Sequence, residues 1–384
     1  MKKKLLFVNG NLNSGGVEKS LVTILCNLDY SKYEVDLLLL QPGEDYLCDI
    51  PGEVNIISRD ITPVYGPILS TLINNIKLKD WCNFSGRIVL ELSNMLGSGM
   101  LRLWRNILGL TKSYDTAIAF RPGVCTDIVA YCISAERKLA WWHHGNLDIK
   151  LSKDKLLKTW LKFDQIVTVS TGIANMLRSL SNVLADRIEV IPNIIDPKEL
   201  EAKAVAEASP YNSDVFNIVS VGGLFAEKRI DNAVEAAKIL KSKNIACKWH
   251  IIGSGDKFVE LQSAIKKSNL EDEVILHGNK TNPYPWIKYA DVFVHPSHVE
   301  SFGIVIIESM VLGTPCIVAE SVGPKDFMTA ENGIVVGKTP TDLAEAIISL
   351  HDSKDNSGEF VRHGYITAAR YSPDNVIKQI DSLL

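Results

Sequence analysis

Short apolar segments rich in β-branched residues alternate with longer segments of helical periodicity along most of the chain. Such short, uniformly apolar segments are typical of strands that are buried on both faces of a sheet. Because helical segments separate them, the pattern predicts parallel sheets with helical crossovers, which is an α/β architecture. The predicted strands are LLFVN, EVDLLLL, TAIAF, KLAWW, QIVTVS and IEVIPN in the first half, and NIVSVGG, CKWHIIG, EVILHG, DVFVHPS and PCIVAE in the second. The predicted helices cover residues 17–28, 172–180, 231–243, 258–268 and 302–311.

The length of 384 residues exceeds that of one typical domain, so we expect two domains of similar size. The first would cover residues 1–197, which end in IPNIIDP, and a polar, Ala-rich linker would follow over 198–213. The second would cover 214–370, and a final helix over 371–384 could pack back on the first domain. Ligands of open α/β sheets bind beyond the carboxyl ends of the strands. Two Rossmann-like domains would therefore face each other across one binding cleft.

Residues 61–112 interrupt this pattern, because Leu, Ile and Trp are mixed there with six basic residues and only two acidic ones. A basic amphipathic helix can lie at an anionic membrane surface, so this insertion could touch a membrane. The alternative is a helical insertion that packs on the sheet and leaves its charges in water.

Charge and cysteine content narrow the class of protein. The net charge of −4 argues against a nucleic-acid-binding protein. Seven scattered cysteines without a C-x-x-C pair argue against a disulfide framework and a zinc site, and favour a reducing compartment. The apolar run in MKKKLLFVNG is too short for a signal peptide, and no run reaches the ~20 residues of a membrane span. We therefore expect a cytoplasmic protein that could still lie at the inner face of the plasma membrane.

The stretch HVESFGIVIIESM places two carboxylates, Glu300 and Glu308, around an apolar run. The strand DVFVHPS ends just before Glu300, and a helix is predicted to begin near Ser301. A helix N-terminus presents unpaired N–H groups and a partial positive charge, so Ser301, Phe302 and Gly303 could bind a phosphate or diphosphate. In the alternative interpretation, Glu300 only caps the helix.

Glu308 follows Ser301 by seven residues, which returns it nearly to the same face of the helix. It would lie about 12 Å along the axis from Glu300, comparable to the distance between the ribose and the hexose of a nucleoside diphosphate sugar. Glu308 could therefore hold ribose hydroxyls, and Glu300 sugar hydroxyls. In the alternative interpretation Glu308 is a solvated helix residue, although its neighbours Ile307 and Met310 are apolar.

Two loops that follow predicted strands also favour phosphate binding. NSGGVEKS follows the first strand and opens a helix, and Gly15 and Gly16 suit a tight turn with close backbone approach. This segment matches neither the P-loop nor the dinucleotide-binding pattern. VGGLFAEKRID follows the first strand of the second domain. Its Lys228 could reach a diphosphate, or it could be an ordinary exposed lysine.

WWHHGN ends a strand of the first domain with two adjacent histidines, His143 and His144. Neighbouring side chains of a strand point in opposite directions, so one of them could face the cleft. Alternatively the pair is solvated or buried in the core. The sequence holds no H-x-x-x-H pair and no D-x-D motif for a divalent metal. Lys228 and helix dipoles could take the place of a metal on a leaving diphosphate.

Together these segments resemble the retaining glycosyltransferase family 4, whose members have the GT-B fold of two Rossmann-like domains facing across a cleft. The family signature E-x7-E is matched by Glu300-SFGIVII-Glu308. The likeness covers nearly the whole chain and is strongest over residues 190–336. The other matching segments are ADVFVHPS, GTPCIVAESVGPKDFM, NGIVV, FDQIVTVS, VIPNIID and VGGLFAEKRID.

The resemblance implies a role for each candidate residue. Glu300 would contact the donor hexose and steady the reacting centre, and Glu308 would bind the ribose. Lys228 would neutralise the leaving diphosphate, and His144, or His143 in its place, would lie near the donor hexose. Ser301, Phe302 and Gly303 would provide backbone amides that bind the phosphates. Gly15 and Gly16 would form the first-domain loop that reaches the donor. Residues 253–256 and 278–280 would frame the base.

The resemblance also implies the reaction: an anomer-retaining, metal-independent hexosyltransferase without a cofactor. It would move a hexose or N-acetylhexosamine from a nucleotide-diphosphate sugar, with UDP favoured over GDP, to a hydroxyl acceptor. That acceptor would be a growing or lipid-linked surface polysaccharide, as in capsule or O-antigen synthesis. Front-face attack, with the leaving phosphate accepting the acceptor's proton, fits a site without an obvious carboxylate nucleophile.

One position departs from the family pattern. Gly223 stands where the family commonly has an arginine that pairs with the lysine on the diphosphate, and Arg229 could compensate for it. An alternative function is therefore a catalytically degenerate GT-B protein that binds a nucleotide sugar or a partner subunit. A third is a phosphorylase or sugar epimerase of the same fold, and a phosphorylase would need a lysine for pyridoxal phosphate.

Overall fold

The computed structural model describes residues 1–13, 15–43, 45–145, 153–211, 215–353 and 355–384. Its contacts divide the chain into two compact units. The first unit comprises Met1–Pro192 together with Ile377–Leu384, and the second comprises Asn193–Val376. Each unit has its own sheet and its own hydrophobic core.

The first unit contains a seven-stranded sheet in which every strand pair is parallel. Its elements are β1 (Lys3–Asn9), α1 (Gly16–Asn27), β2 (Tyr33–Leu39), β3 (Val54–Ser58), α2 (Ile68–Lys77), α3 (Trp81–Leu96), α4 (Trp104–Ile107), β4 (Ser113–Ala119), α5 (Val124–Tyr131), β5 (Ser134–Trp142), α6 (Lys153–Trp160), β6 (Gln165–Thr168), α7 (Thr171–Arg178), α8 (Asn182–Ala185) and β7 (Ile188–Val190). The strand order is β3-β2-β1-β4-β5-β6-β7, so the order reverses between β1 and β4.

The second unit contains a six-stranded parallel sheet. Its elements are α9 (Pro197–Val205), β8 (Phe216–Val221), α10 (Ile230–Ser242), β9 (Cys247–Ile252), α11 (Phe258–Lys267), β10 (Val274–Leu276), α12 (Tyr284–Lys288), β11 (Val292–His295), α13 (Ile304–Val311), β12 (Cys316–Ala319), β13 (Ile334–Val336), α14 (Pro340–Asp352) and α15 (Asp355–Ala369). The strand order is β10-β9-β8-β11-β12-β13, with the reversal between β8 and β11. A last helix, α16 (Pro373–Leu383), spans the end of the second unit and the terminal residues of the first.

The predicted fold class of two Rossmann-like parallel-sheet domains is confirmed. Every predicted strand and helix is present, and the bounds differ by a few residues. Two strands were not predicted, β3 and β13, and both lie at sheet edges. Both are partly exposed and short, so they lack the uniformly apolar pattern of the strands buried on both faces.

Part of the predicted linker, residues 198–213, is instead the helix α9. Its start carries a strong capping signal. The carboxylate of Asp196 accepts hydrogen bonds from the backbone N–H groups of Lys198, at 3.0 Å, and Glu199, at 3.3 Å, and proline occupies the first helical position. Polar, Ala-rich composition therefore marked a surface helix here. Residues 212 and 213, at the end of the predicted linker, and residue 214, at the start of the predicted second domain, lie outside the described residues.

The terminal residues Ile377–Leu384 belong to the first unit. The carbonyl oxygen of Leu384 accepts hydrogen bonds from Lys3 Nζ and Thr116 Oγ1, each at 3.2 Å. Arg137 Nη1 donates to the carbonyl oxygen of Leu383 at 2.7 Å. These bonds fix the last turn of α16 against β1, β4 and β5.

Residues 61–112 form a helical segment that includes α2, α3 and α4. It packs on the first unit through a set of side chains in the hydrophobic core, namely Val64, Val89, Leu101 and Trp104. In the part of the chain that the structure describes, no helix combines the length and apolar character that crossing a bilayer requires.

Candidate active site

The carboxyl ends of β8 and β11 lie next to each other at the centre of the second sheet. The strand order reverses between these two strands, and such a reversal opens a crevice in which α/β proteins bind ligands. Lys228 lies in the loop after β8, and Glu300 lies in the loop after β11. The two residues expected to act on the donor are thus brought to one place by the topology.

Lys228, Glu300 and His295 form a compact charged cluster. Lys228 Nζ donates a short hydrogen bond to Glu300 Oε1, and His295 Nε2 lies 2.7 Å from the same oxygen. Glu300 is only 9% exposed. Burial by itself raises the pKa of Glu300, but the charge of Lys228 and the hydrogen bonds from Lys228 and His295 outweigh it and lower the pKa to about 2. Glu300 is therefore a carboxylate at neutral pH.

The loop before Glu300 is hydrogen-bonded to the turn that carries Lys228. His298 donates its backbone N–H to the carbonyl oxygen of Glu227 at 3.1 Å. Ser297 Oγ donates to the same carbonyl at 3.3 Å. These bonds hold Lys228 and Glu300 at a fixed separation without help from a ligand.

The predicted start of the following helix is wrong by two residues, because α13 begins at Ile304. Gly303 has a φ of 92° and interrupts the helical conformation. Ser301, Phe302 and Gly303 are thus loop residues ahead of the helix. The estimate of about 12 Å between the two glutamates assumed a continuous helix, and it does not apply to the residues before Ile304.

The Ser301–Gly303 loop is held from two sides. Gly323 donates its backbone N–H to the carbonyl oxygen of Glu300 at 2.9 Å. A Cβ atom added at Gly323 would overlap the carbonyl group of Ser301, so only glycine allows this approach. On the other side, the buried ring of Phe302 packs against Phe327 and Tyr371, with ring centroids 5.7 and 5.3 Å away.

Glu308 is buried on α13, with only 5% exposure. The alternative that treated it as a solvated helix residue is therefore wrong. A carboxylate inside a mostly apolar helix is costly to bury unless it is paired. Its predicted contact with a ribose stays a prediction.

Arg229, the residue that could compensate for the missing family arginine, forms an ion pair with a neighbouring carboxylate. Its guanidinium lies against Asp231, with Nη2 at 2.7 Å from Oδ2 and Nε at 3.0 Å from Oδ1. The space beside Gly223 is taken by the ring of Phe225, which a Cβ atom at Gly223 would overlap. A longer side chain at position 223 would require Phe225 to move.

The two loops expected to frame the base lie against the loop after β8. Gly253 donates its backbone N–H to the carbonyl oxygen of Gly278 at 2.8 Å, and Leu224 donates to that of Ser254 at 2.9 Å. A Cβ atom at Gly253 would overlap the carbonyl oxygen of Gly222. The loops after β8, β9 and β10 thus form one continuous backbone surface.

The first unit has its own polar cluster where its strand order reverses. Glu18, on α1, is buried, and Arg121 Nη1 donates to its Oε1 at 3.1 Å. Gly15 is the N-cap of α1, and a Cβ atom there would overlap Glu18 Oε2. Gly15 has an extended backbone and Gly16 is the first residue of α1, so this segment opens a helix as expected, while Ser14 lies outside the described residues.

The two adjacent histidines have different environments. His143 is buried beside Phe120, with 4.8 Å between ring centroids. In the described part of the chain its Nε2 has no hydrogen-bond partner. Burial, and then the nearby charges of His144 and Arg121, lower the pKa of His143 to about 3. His144 has more accessible surface than His143. Partial removal of its ring from water, and then the charge of Arg121, lower the pKa of His144 too. Asn146, at the end of this motif, is outside the described residues.

Comparison with known proteins shows what the second unit is similar to. Residues 203–384 match the family described as glycosyl transferases group 1. N-acetyl-alpha-D-glucosaminyl L-malate synthase of Bacillus anthracis is 23% identical over 279 residues, which are 69% of this chain and 72% of that enzyme. Poly(ribitol-phosphate) alpha-N-acetylglucosaminyltransferase of Staphylococcus aureus is 24% identical over 251 residues. These cover 62% of this chain and 48% of that enzyme, so the match spans about half the length of that relative.

Solved glycosyltransferase structures share the whole fold. HepE of Anabaena, solved in complex with UDP and glucose, superposes with a TM-score of 0.71 over 99% of both chains, at 16% identity. At this identity the likeness shows the fold, which is that of the GT-B glycosyltransferases. Residues 203–384 are thus similar to group 1 glycosyltransferases, and the whole chain has the two-domain fold of these solved structures.

Three site residues were missed by the sequence analysis. His295 stands at the end of β11, and its place in ADVFVHPS, five residues before Glu300, could have revealed it. Glu18 lies inside the quoted NSGGVEKS segment. Arg121 directly follows the last residue of the predicted strand TAIAF. Its pairing with Glu18 joins residues 103 positions apart, which no local pattern reveals.

Among the described residues, no group of three or more His, Cys, Asp or Glu side chains is arranged to hold a metal ion. The cation present at the second-unit site is Lys228. Metal independence stays a prediction of the sequence.

Proposed function

We propose that this chain is a retaining glycosyltransferase of family 4, which moves a hexose or N-acetylhexosamine from a nucleotide-diphosphate sugar to a hydroxyl acceptor. The observation that carries this proposal is the Lys228–Glu300–His295 cluster at the strand-order reversal of the second unit. A fixed cation and a fixed carboxylate at such a crevice suit a ligand that carries both a diphosphate and a sugar.

Glu300 acts on the donor sugar as an acceptor of hydrogen bonds. With a pKa of about 2, it holds no proton to give to a leaving group at neutral pH. Lys228 and His295 both bind its Oε1, and within the described residues no hydrogen bond reaches its Oε2. That oxygen can accept from a sugar hydroxyl. A carboxylate so strongly held by two donors is a weak nucleophile, which favours front-face attack over a covalent intermediate.

Lys228 supplies positive charge for the leaving diphosphate. When the donor binds, its ammonium group can share its three N–H donors between Glu300 and a phosphate oxygen. Stabilising the charge that develops on the leaving group is the main catalytic effect available to such a site. The backbone of Ser301, Phe302 and Gly303 is assigned to the phosphates, and Glu308 is assigned to the ribose.

The remaining assignments rest on the first unit. We assign His144, with His143 as the alternative, to the donor hexose. We assign the loop at Gly15 and Gly16 to the phosphates of the donor. His143 is kept neutral by its burial, so it can orient a hydroxyl but not supply a positive charge.

UDP is the donor nucleotide that the comparisons favour, because HepE was solved with UDP and glucose. For the acceptor we favour a growing or lipid-linked surface polysaccharide, since the related Staphylococcus aureus enzyme is named for a poly(ribitol-phosphate) polymer. A cytoplasmic site of action fits the seven scattered cysteines, among which the sequence holds no C-x-x-C pair.

Turnover of UDP-sugars by Lys228→Met and Glu300→Gln variants tests the proposal. Each variant removes one charge from the reacting centre, and we expect the rate of UDP release to fall roughly 10²-fold or more. Lys238 is a matched control, because it forms an exposed ion pair with Glu235 at 2.6 Å in the same unit. Lys238→Met should keep the wild-type rate. Equal rates in all three variants would refute the site assignment.

A non-catalytic nucleotide-sugar-binding protein is the second candidate. It is favoured by Gly223 and by the engagement of Arg229 with Asp231, which leave the diphosphate with one cation fewer than the family pattern provides. In that case UDP-sugars would bind to the wild-type protein, with loss of binding in Lys228→Met, while no acceptor or water would be glycosylated.

A further inference from the structure

Helix α2 of the first unit has its polar residues inside and its apolar residues outside. Thr71 and Asn75 are buried, and they donate hydrogen bonds to the carbonyl oxygens of Tyr65 and Pro63. The exposed face carries Ile68, Leu69, Ile73 and Ile76. A surface helix of a soluble protein normally shows the opposite arrangement, with apolar residues toward the core.

Helix α3 shares this arrangement in part. Its buried face holds Val89 in the hydrophobic core, but it also holds the polar residues Asn83, Arg87 and Ser93. The buried guanidinium of Arg87 pairs with Glu91 at 2.8 Å. Its exposed residues include Trp81, Ile88, Met95 and Leu96. Together with those of α2 and the turn residue Leu78, these exposed apolar side chains form a surface that we call the outer helical face. Clusters of exposed apolar side chains such as this one mark interaction sites.

The turn between α2 and α3 adds positive charge to this face. Leu78 is 73% exposed and Trp81 is 61% exposed, while Lys77 and Lys79 flank Leu78 and point into solvent. In the part of the chain that is described, neither lysine forms an ion pair. The nearby Asp80 is engaged as the N-cap of α3, where it accepts from Asn83 at 3.0 Å. The turn is therefore apolar at its tip and cationic around it.

We propose that the outer helical face binds the surface of an anionic lipid bilayer, with α2 and α3 lying in the plane of the interface. Leu78 and Trp81 enter the boundary between headgroups and acyl chains, and Lys77 and Lys79 meet lipid phosphates. Tryptophan beside lysines at the edge of an apolar face is the combination that an interface selects. The two helices supply the apolar area, and the unpaired lysines supply the attraction to anionic lipid.

This inference does not depend on the proposed catalytic activity, because it concerns only helices of the first unit. A protein partner is the competing occupant. A protein interface normally has a rim of varied hydrogen-bonding groups around its apolar centre. The charged residues at the edge of the outer helical face are instead lysines, which suit a layer of lipid phosphates. A second copy of this chain would bring the same lysines face to face and would repel.

Co-sedimentation of the full chain with vesicles tests the proposal. We expect binding to equimolar phosphatidylcholine and phosphatidylglycerol vesicles at low salt, and much weaker binding to pure phosphatidylcholine vesicles. Lys77→Glu together with Lys79→Glu should lower the partition coefficient roughly tenfold or more, since each basic residue near an anionic surface contributes about a fivefold factor. Leu78→Asp should also abolish most of the binding.

Val183→Asp is the matched control. Val183 lies on α8 of the same unit and is 64% exposed, but it is not part of the outer helical face, so this variant should bind vesicles as the wild type does. Trp81 gives a second readout. Its fluorescence should shift to the blue when anionic vesicles are added, and this part of the shift should be absent in Trp81→Phe.

Three results would overturn the proposal. The first is no binding of the wild type to anionic vesicles at low salt. The second is equal binding by wild type, Leu78→Asp and Val183→Asp. The third is a wild-type dimer in light scattering that Leu78→Asp converts to a monomer, without any vesicle binding. Turnover on a soluble acceptor should be the same in Leu78→Asp and wild type, so failure here leaves the catalytic proposal intact.

Discussion

His143 shows how the environment of one residue sets a property of the whole protein. Burial, with the charges of His144 and Arg121, lowers its pKa to about 3 in the folded chain. In the unfolded chain the ring takes up a proton as the pH falls below about 6.5. Between these two pH values the unfolded chain binds more protons than the folded one. The contribution of His143 to stability is therefore fully present above pH ~6.5 and is lost as the pH falls.

The His143→Gln variant should consequently lose less stability on acidification than the wild type does. We expect the fall in unfolding free energy between pH 7 and pH 5 to shrink by roughly 2 kcal/mol, as linkage predicts for one histidine in this range. Urea denaturation at the two pH values measures it. His351→Gln, which changes a partly exposed histidine of the second unit, is the control. An unchanged pH dependence in His143→Gln would show that His143 is protonated in the folded protein.

Single residues also mark the limit of what the sequence predicts. Glu300 and Lys228 could be predicted as neighbours because each follows a central strand of the same sheet. His295 was within the quoted pattern, five residues before Glu300, but the sequence analysis assigned it no role. The environments of His143 and His144 could not be predicted, because the alternation of a strand does not say which of two neighbours is buried.

At the scale of elements, the approach of two loops determines the shape of the site. The segment Gly323–Asp326 lies against the Ser301–Gly303 loop through the hydrogen bond from Gly323 to Glu300. The conformation of this loop places the amides that are assigned to phosphate. It depends on Gly303 at φ 92° and on the absence of a side chain at Gly323.

Gly323→Ala should therefore destabilise the protein and weaken UDP binding together. The added methyl group overlaps the backbone of Ser301, and the forced shift should cost about 1–3 kcal/mol of unfolding free energy. Gly358→Ala is the control. It lies on α15 where a Cβ atom meets nothing within 4 Å, and there the change should stabilise by roughly 0.5–1 kcal/mol. Calorimetric titration with UDP and thermal denaturation measure both effects. Equal stability and UDP affinity in Gly323→Ala and wild type would contradict this account of the loop.

Elements differ in how well the sequence predicts them. Strands buried on both faces were predicted because their composition is uniformly apolar, whereas the partly exposed edge strands β3 and β13 were not. The start of α13 was misplaced because the positive φ of Gly303 depends on its surroundings. The exposed apolar faces of α2 and α3 could not be predicted, since a periodic pattern does not say which face is buried.

At the scale of the whole molecule, two features follow from the strand order. Both sheets reverse their order next to their first strand, and each reversal gathers polar side chains, Arg121 and Glu18 in the first unit and Lys228 and Glu300 in the second. The fold class could be predicted from periodicity alone, because alternating buried strands and helices have few stable arrangements. The expected first domain ends at residue 197, whereas the first continuous segment of the first unit ends at Pro192.

The most direct test of the central claim is the change in melting temperature with UDP, GDP, ADP and CMP, measured on the wild type, Lys228→Ala and Glu308→Ala without added metal. A ligand that binds only the folded state at about 100 times its Kd stabilises by about 2.7 kcal/mol, which raises the melting temperature by several degrees. The account predicts this rise with UDP for the wild type and its loss in both variants. No rise with any nucleotide, or an equal rise in all three proteins, would contradict a nucleotide-sugar site at Lys228, Glu300 and Glu308.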